Sequence, residues 1–213
     1  MKQNLHGLYA ITDENLMSVD DFKSMTDSAL RAGVNIIQYR DKSADKSKRL
    51  HQANELRKLC SEYGAIFIVN DDIELAISTN ADGIHIGKDD LSIKETRQLL
   101  GEDKIIGVSC YNKLSLAETA ISEGADYIAF GSFFGSTIKP DAPKATPDLI
   151  RSIKKKYNTP VCCIGGITTE NCNELLTERA DMLAVISDIF SSPNKNTIQD
   201  KCSIFVSSLN QKA

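Results

Sequence analysis

Three polar residues, Asn70-Asp71-Asp72, follow the apolar run Ala65-Ile66-Phe67-Ile68-Val69 with no transition. A second short run, Gly83-Ile84-His85-Ile86, ends in Gly87-Lys88-Asp89-Asp90. If both runs are neighbouring strands, their carboxylates converge on one rim of a sheet. Oxygen donors of this kind suit magnesium (Mg2+), which is usually held by one or two carboxylates together with substrate phosphates. Two bare carboxylates about 4 Å apart repel by roughly 4 kcal/mol at an effective dielectric of about 20, and a bridging cation removes that cost. The same residues have plainer uses. Asp71 or Asp72 can cap a following helix, and Asp90 can simply precede the Ser92 cap.

Cations stand nearby in the chain. Gln38-Tyr39-Arg40-Asp41-Lys42 closes another apolar run. Strand alternation sends Gln38, Arg40 and Lys42 in one direction if the strand continues that far. An amide, a guanidinium fork and an ammonium suit a phosphate or diphosphate; a solvated loop start is the other reading. Ser109, in Gly107-Val108-Ser109, can bind a phosphate oxygen or satisfy loop amides. No G-x-S-x-G elbow surrounds it, so it is not read as a nucleophile. His85 lies inside a strand and reads as a hydrogen-bonded core histidine rather than a base.

Residues 131–143 carry two aromatics, hydroxyls, a lysine and two prolines, and read as a shaped substrate loop or a plain surface excursion. Gly165-Gly166-Ile167-Thr168 and Ile186-Ser187-Asp188 end two further runs. Glycines that admit close backbone approach, beside a helix start, make a phosphate cradle.

These residues need a scaffold that brings many strand ends together. Eight β-rich runs are read over 8–12, 34–40, 65–70, 83–86, 105–109, 127–131, 161–164 and 182–187. Most are continuously apolar, as expected of strands buried on both faces. Helical patterns are read between them over 20–32, 45–63, 92–100, 114–123, 147–157 and 171–176, with a last helix within 192–209. In the second, Leu50, Ala53, Leu56 and Leu59-Cys60 form the apolar face. Ser92-x-x-Glu95 is a capping box, and Pro147 is expected at a first helical position. Alternating strand and helix predicts a parallel sheet with right-handed crossovers. Eight units in 213 residues point to one α/β domain over 1–213, a single (β/α)8 TIM barrel whose site lies at the strand C-termini. An open doubly wound sheet is the runner-up, but Thr12-Asp13-Glu14-Asn15 lacks its glycine-rich turn.

The bulk numbers narrow the function classes. Net charge is −4, from 25 basic and 29 acidic residues, which gives no general attraction to nucleic acid or an anionic membrane. No apolar run approaches the roughly 20 residues of a membrane span. The six cysteines form no C-x-x-C pair, and only three histidines accompany them, so a zinc site is poorly supported. A reduced, cytoplasmic setting is expected.

From Leu8-Tyr9-Ala10-Ile11-Thr12-Asp13 to about Phe190 the motifs resemble the thiamine-phosphate synthase family, also called thiamine-phosphate pyrophosphorylase. The resemblance rests on Gln38-Tyr39-Arg40-Asp41-Lys42, Val69-Asn70-Asp71, Gly83–Ile86 followed by Gly87 and Asp90, Gly107-Val108-Ser109, Phe130-Gly131 through Lys139-Pro140, Ile164-Gly165-Gly166-Ile167 and Ala184-Val185-Ile186-Ser187. It implies a (β/α)8 barrel. Such an enzyme joins hydroxymethylpyrimidine diphosphate to hydroxyethylthiazole phosphate, often as the carboxylated thiazole, and releases pyrophosphate. It further implies that Gln38, Tyr39, Arg40, Asp41, Lys42, Asn70, Ser109 and Lys139 hold the pyrimidine diphosphate. Asp71 and Asp90 would bind magnesium, which leaves Asp72 as the helix cap. Ser136, Thr137, Ile138, Gly166, Ile186 and Ser187 would hold the thiazole phosphate, and Arg40 and Lys139 would be catalytic. The family chemistry is dissociative, which agrees with the lack of an evident nucleophile or acid–base pair. The partners implied are two phosphorylated small molecules.

Two positions depart from the family pattern. Ile138 stands where a hydroxyl residue is usual, and Glu178-Arg179-Ala180-Asp181 replaces Ala-Gly-Ala-Asp before the eighth strand. Two other readings compete. A thiazole tautomerase would share the barrel and phosphate cradle without needing the Gln38/Arg40/Lys42 and Asn70/Asp71/Asp90 sets. A non-catalytic thiazole-phosphate or thiamine-phosphate binding protein would have lost activity at Ile138.

Overall fold

The computed structural model describes residues 5–135 and 144–211. Eight parallel strands close into a barrel in chain order: β1 (Gly7–Ile11), β2 (Ile36–Tyr39), β3 (Ile66–Asn70), β4 (Gly83–Ile86), β5 (Ile105–Tyr111), β6 (Tyr127–Gly131), β7 (Val161–Ile164) and β8 (Met182–Val185). The last pairs with the first, Ala10 against Val185. Helices follow each strand: α1 (Val19–Arg31), α2 (Lys46–Tyr63), α3 (Ile73–Ser78), α4 (Ile93–Leu100), α5 (Leu114–Ser122), α6 (Asp148–Lys154), α7 (Cys172–Thr177), α8 (Ser187–Phe190) and α9 (Lys195–Asn210). The single-domain barrel expected from the alternation is therefore the fold, and the open sheet is not.

Alternation along the strands makes two cores. Tyr9, Ile11, Ile36, Ile66, Ile68, Ile105, Tyr127, Cys162 and Met182 belong to the cluster that fills the barrel. Their neighbours Leu8, Ala10, Ile37, Phe67, Val69, Ile106, Ile128 and Cys163 pack outward under the helices. Both faces are apolar, which is why the strands read as unbroken runs. All six cysteines are buried free thiols.

The helices begin where short polar side chains supply acceptors. Ser18 accepts from the Asp21 N–H, and Ser92 and Glu95 form the expected capping box. Three local expectations need correction. Leu50 is 43% exposed; at 100° per residue it lies roughly 60° outside the arc of Ala53, Leu56, Leu59 and Cys60 that α2 buries. Pro147 is the N-cap of α6, not its first residue. Strand β2 stops at Tyr39, one residue before Arg40.

At the N-terminal end of the barrel one arrangement recurs. Asn35, Asp82, Asp126 and Asp181 each stand directly before an even-numbered strand. Their side chains accept the N–H of Leu8, Phe67, Ile106 and Val161 at the start of the preceding odd strand, at 3.1, 2.8, 2.9 and 2.7 Å. The three carboxylates also pair with Arg57, Arg97 and Lys154, at 2.7, 2.8 and 2.6 Å. Each clasp satisfies a strand N–H, and the three charged ones also tie a helix to the sheet.

Candidate active site

The opposite, C-terminal end of the barrel gathers the chemistry-bearing residues. The turn from β3 into α3 separates two adjacent aspartates. Asp71 adopts a left-handed backbone conformation, φ 59°. That turn leaves Asp72 to cap α3, where it accepts the Leu75 N–H at 2.9 Å and pairs with Arg49. Asp71 instead pairs with the Lys42 ammonium and touches Asp90 and Asn70. Asp72 is the cap and Asp71 is the rim carboxylate.

The two rim carboxylates are pulled apart electrostatically. Burial raises the Asp71 carboxyl, but hydrogen bonds from Lys42, Asp90 and Asn70 outweigh it and the net shift is downward. Asp90 is raised by burial and by the neighbouring Asp71, against the Gly87 N–H that it accepts at 2.7 Å. Contact between two carboxylates beside one cation fits a hard divalent metal completed by phosphate oxygens and water. Among the described residues no group of three or more metal-ligating His, Cys, Asp or Glu side chains exists, so a metal here would rely on such outside ligands.

The segment after β2 is held from β1. Thr12 Oγ1 donates to the Arg40 carbonyl at 3.0 Å and accepts the Arg40 N–H at 2.9 Å. The Arg40 guanidinium pairs with buried Asp13 at 2.9 Å and lies 3.6 Å from Glu14, which also accepts the Lys42 N–H at 3.2 Å. Alternation therefore does not aim this segment; the β1 loop does. Asp13 and Glu14 carry no role in the sequence reading. The signal was an acidic pair after one strand facing a cationic pair after the next.

Gln38 points into the barrel and donates to the Tyr9 hydroxyl at 2.8 Å. Tyr39 and Asp41, expected among the diphosphate ligands, send their side chains behind the rim. Tyr39 donates to Gln52 of α2 at 3.0 Å. Asp41 pairs with Lys48 at 2.6 Å and accepts the Ser43 N–H at 2.7 Å. Burial raises the Asp41 carboxyl, but Lys48 and Ser43 prevail and it lies below the ordinary carboxylate range. The Tyr39 phenol is raised by burial and by Asp41. Ser109, on the inner face of β5, is bonded to His85 Nε2 at 2.8 Å. The core reading of His85 agrees with its bonds to Ser109 and Tyr127.

Across the mouth, β7 is followed by Gly165 and Gly166, both at positive φ (105° and 64°). A Cβ on Gly166 would lie 2.0 Å from the carbonyl oxygens of Phe134 and Gly135, so only glycine fits. The first residues after β6 lie along this turn, with the Phe134 N–H donating to the Gly165 carbonyl at 2.9 Å. Ile186 precedes α8 without a side-chain cap, and Ser187 opens that helix. The helix's first N–H groups have no intrahelical acceptor and face an anion favourably. Ser136, Thr137, Ile138 and Lys139 lie outside the described residues.

The family model described as thiamine monophosphate synthase matches residues 8–189. The chain is 42% identical over 192 residues to a thiamine-phosphate synthase of Thioalkalivibrio sulfidiphilus, covering 90% of this chain and 91% of the relative. It is 45% identical over 195 residues to one of Alcanivorax borkumensis, covering 92% and 90%. Among solved structures it resembles thiamine phosphate pyrophosphorylase from Pyrococcus furiosus, with TM-score 0.85 and 30% identity over 97% of this chain and 96% of that one. With the barrel and its mouth in place, these matches identify the chain as a member of the thiamine monophosphate synthase family.

Proposed function

We propose that this chain condenses hydroxymethylpyrimidine diphosphate with hydroxyethylthiazole phosphate, or its carboxylated form, to thiamine phosphate and pyrophosphate, with magnesium as the cofactor. The observation that carries the reading is the meeting of Lys42, Asp71, Asp90 and Asn70 on one side of the mouth, opposite the Gly165-Gly166 turn on the other. One side suits a diphosphate with its metal and the other a monophosphate. Two phosphorylated ligands over one mouth suit a transfer that joins them.

In this reading Asp71 and Asp90 would hold the magnesium, which when bound would supply screening of the charge that builds on the leaving pyrophosphate. Lys42 moves from Asp71 to the phosphates. Arg40, Lys139 and Lys42 stabilise the departing dianionic end, and Asn70, Gln38 and Ser109 orient the pyrimidine. Asp41 and Tyr39 act from behind, fixing the Arg40–Lys42 turn against α2. The backbone of Gly166, Ile186 and Ser187, with Ser136, Thr137 and Ile138, holds the thiazole phosphate so that the ring nitrogen faces the pyrimidine methylene. The C–O bond to pyrophosphate breaks first, the amino group of the pyrimidine shares the positive charge, and the thiazole nitrogen then forms the new C–N bond. Such a step needs charge stabilisation and positioning rather than a protein nucleophile.

The test is incubation of both substrates with magnesium. Pyrophosphate release that depends on both, with thiamine phosphate formed, is expected. Thiazole isomerisation alone, or ligand binding without turnover, would overturn the reading. Asp71→Asn and Asp90→Asn should each raise the magnesium requirement sharply, whereas Asp72→Asn keeps the α3 cap and should not. An unchanged magnesium titration in both rim variants removes the metal assignment.

A further inference from the structure

Beneath the mouth a chain of four hydrogen bonds crosses the barrel interior. Gln38 Nε2 donates to the Tyr9 hydroxyl at 2.8 Å, and the Tyr9 and Tyr127 hydroxyls are 2.8 Å apart. The Tyr127 hydroxyl is 2.9 Å from His85 Nδ1, and His85 Nε2 is 2.8 Å from Ser109 Oγ. Tyr9 and Tyr127 are fully buried, and Gln38 is nearly so.

The strands are cut to admit this chain. His85, Gly107 and Tyr127 are direct register partners across β4, β5 and β6. The Tyr127 ring leans over Gly107 and stacks on His85, with centroids 5.6 Å apart and planes at 27°. A Cβ on Gly107 would lie 1.9 Å from Tyr127 Cζ. Glycine in the middle of a strand weakens it, so the gap at Gly107 serves the ring that fills it.

An amide nitrogen only donates, each phenol has one hydrogen, and a neutral imidazole has one donor and one acceptor nitrogen. Between the two phenols either oxygen can donate, and the imidazole roles follow its tautomer. We propose that the hydrogens run one way from the Gln38 end: Tyr9 passes its hydrogen to Tyr127, Tyr127 passes its own to His85 Nδ1, and the ring hydrogen on Nε2 is donated to Ser109 Oγ. The hydrogen on Ser109 then points elsewhere. Tyr9, Tyr127 and His85 are positioning residues that turn the Ser109 hydroxyl into a fixed hydrogen-bond donor facing the mouth, selecting a substrate with an acceptor, such as a ring nitrogen or a phosphate oxygen, at that place. This deepens the reading of the site given above and rests on Ser109 contacting the pyrimidine substrate.

Two measurements on the full chain test it. Nitrogen-15 NMR of the three histidines, with His6→Gln and His51→Gln for assignment, should show His85 with its hydrogen on Nε2. A hydrogen on Nδ1 reverses the chain and overturns the proposal, whatever the activity. In a double-mutant cycle, Tyr127→Phe and Ser109→Ala should each lower kcat/KM for the pyrimidine substrate by roughly tenfold, the scale of one hydrogen bond. The double variant should lose no more than the larger single loss, because one residue works through the other. Multiplying losses would show that Tyr127 acts independently of Ser109 and would overturn the proposal. A silent Ser109→Ala with the Nε2 hydrogen intact would remove Ser109 from the substrate site and this inference with it. Thiamine phosphate formed by the parent, with a raised magnesium requirement in Asp71→Asn and Asp90→Asn, beside a failed cycle would leave the synthase reading standing and sink the inference alone.

Discussion

Asp41 sits between an arginine and a lysine in sequence and pairs with a third cation. Lys42 goes to the rim, while Lys48, one turn into α2, comes back to Asp41 at 2.6 Å. Asp41 is lowered by that contact and by Ser43, against the burial that raises it. A carboxyl lowered in the folded state stabilises it above the unfolded value of about 3.9, and the contribution vanishes as pH falls through the folded value. Asp41→Asn should therefore cost about 2 kcal/mol near neutral pH. Urea unfolding of the two proteins should converge as the pH drops below about 3.9. A difference that persists into acid would show that Lys48 is not the cause. At this scale the stretch alone left Asp71 and Asp72 as alternative caps, and its place among the strand ends gave the cap to Asp72, where it is found. The left-handed turn at Asp71, which no residue pattern announced, is what parts the two side chains.

Among the elements, the strands were the most legible part. Continuous apolar runs located all eight, because both faces of each strand are buried. The ends were less so. β2 stops one residue short of Arg40, and α3, six residues long, is too short for a helical period. The polar chain through Tyr9, Tyr127 and His85 was hidden for a different reason, since its partners are 118 and 42 residues apart. The turn after α7 carries a substitution that the structure explains in part. Arg179 takes φ 68°, a conformation that favours glycine, in the place where the resembling family has glycine. Its neighbour Glu178 forms a two-pronged pair with Arg151 at 2.9 and 2.6 Å, which holds the turn. Arg179→Gly should relieve the left-handed strain, less the entropy glycine adds to the unfolded chain, for a gain of up to about 1 kcal/mol. Thermal melting checks the sign; a loss would mean that the Arg179 side chain contributes more than its backbone costs.

Over the whole molecule the charged clasps and the chemistry are at opposite ends of the same strands. Asp82→Asn, Asp126→Asn and Asp181→Asn each leave an amide where a charged acceptor held a strand N–H and a cation. Each should cost about 2 kcal/mol in denaturant unfolding. Each holds a different strand N–H and a different cation, so the losses should add. At temperatures where the variants remain folded, kcat and the substrate KM should match the parent. A fall in kcat without a fall in stability would place these residues in the site.

The clasp before β2 differs from the other three, since Asn35 is neutral and a Cβ on Gly7 would lie 2.1 Å from its Oδ1. That residue joins β2 to β1, whose other edge meets β8. The joint of the first two strands is thus fastened by fit rather than by charge. Salt and acid, which loosen ionic fastenings, act on the three charged clasps and spare this one. A barrel so divided would yield to those agents away from its first joint, keeping β1 on β2 while its other sides give.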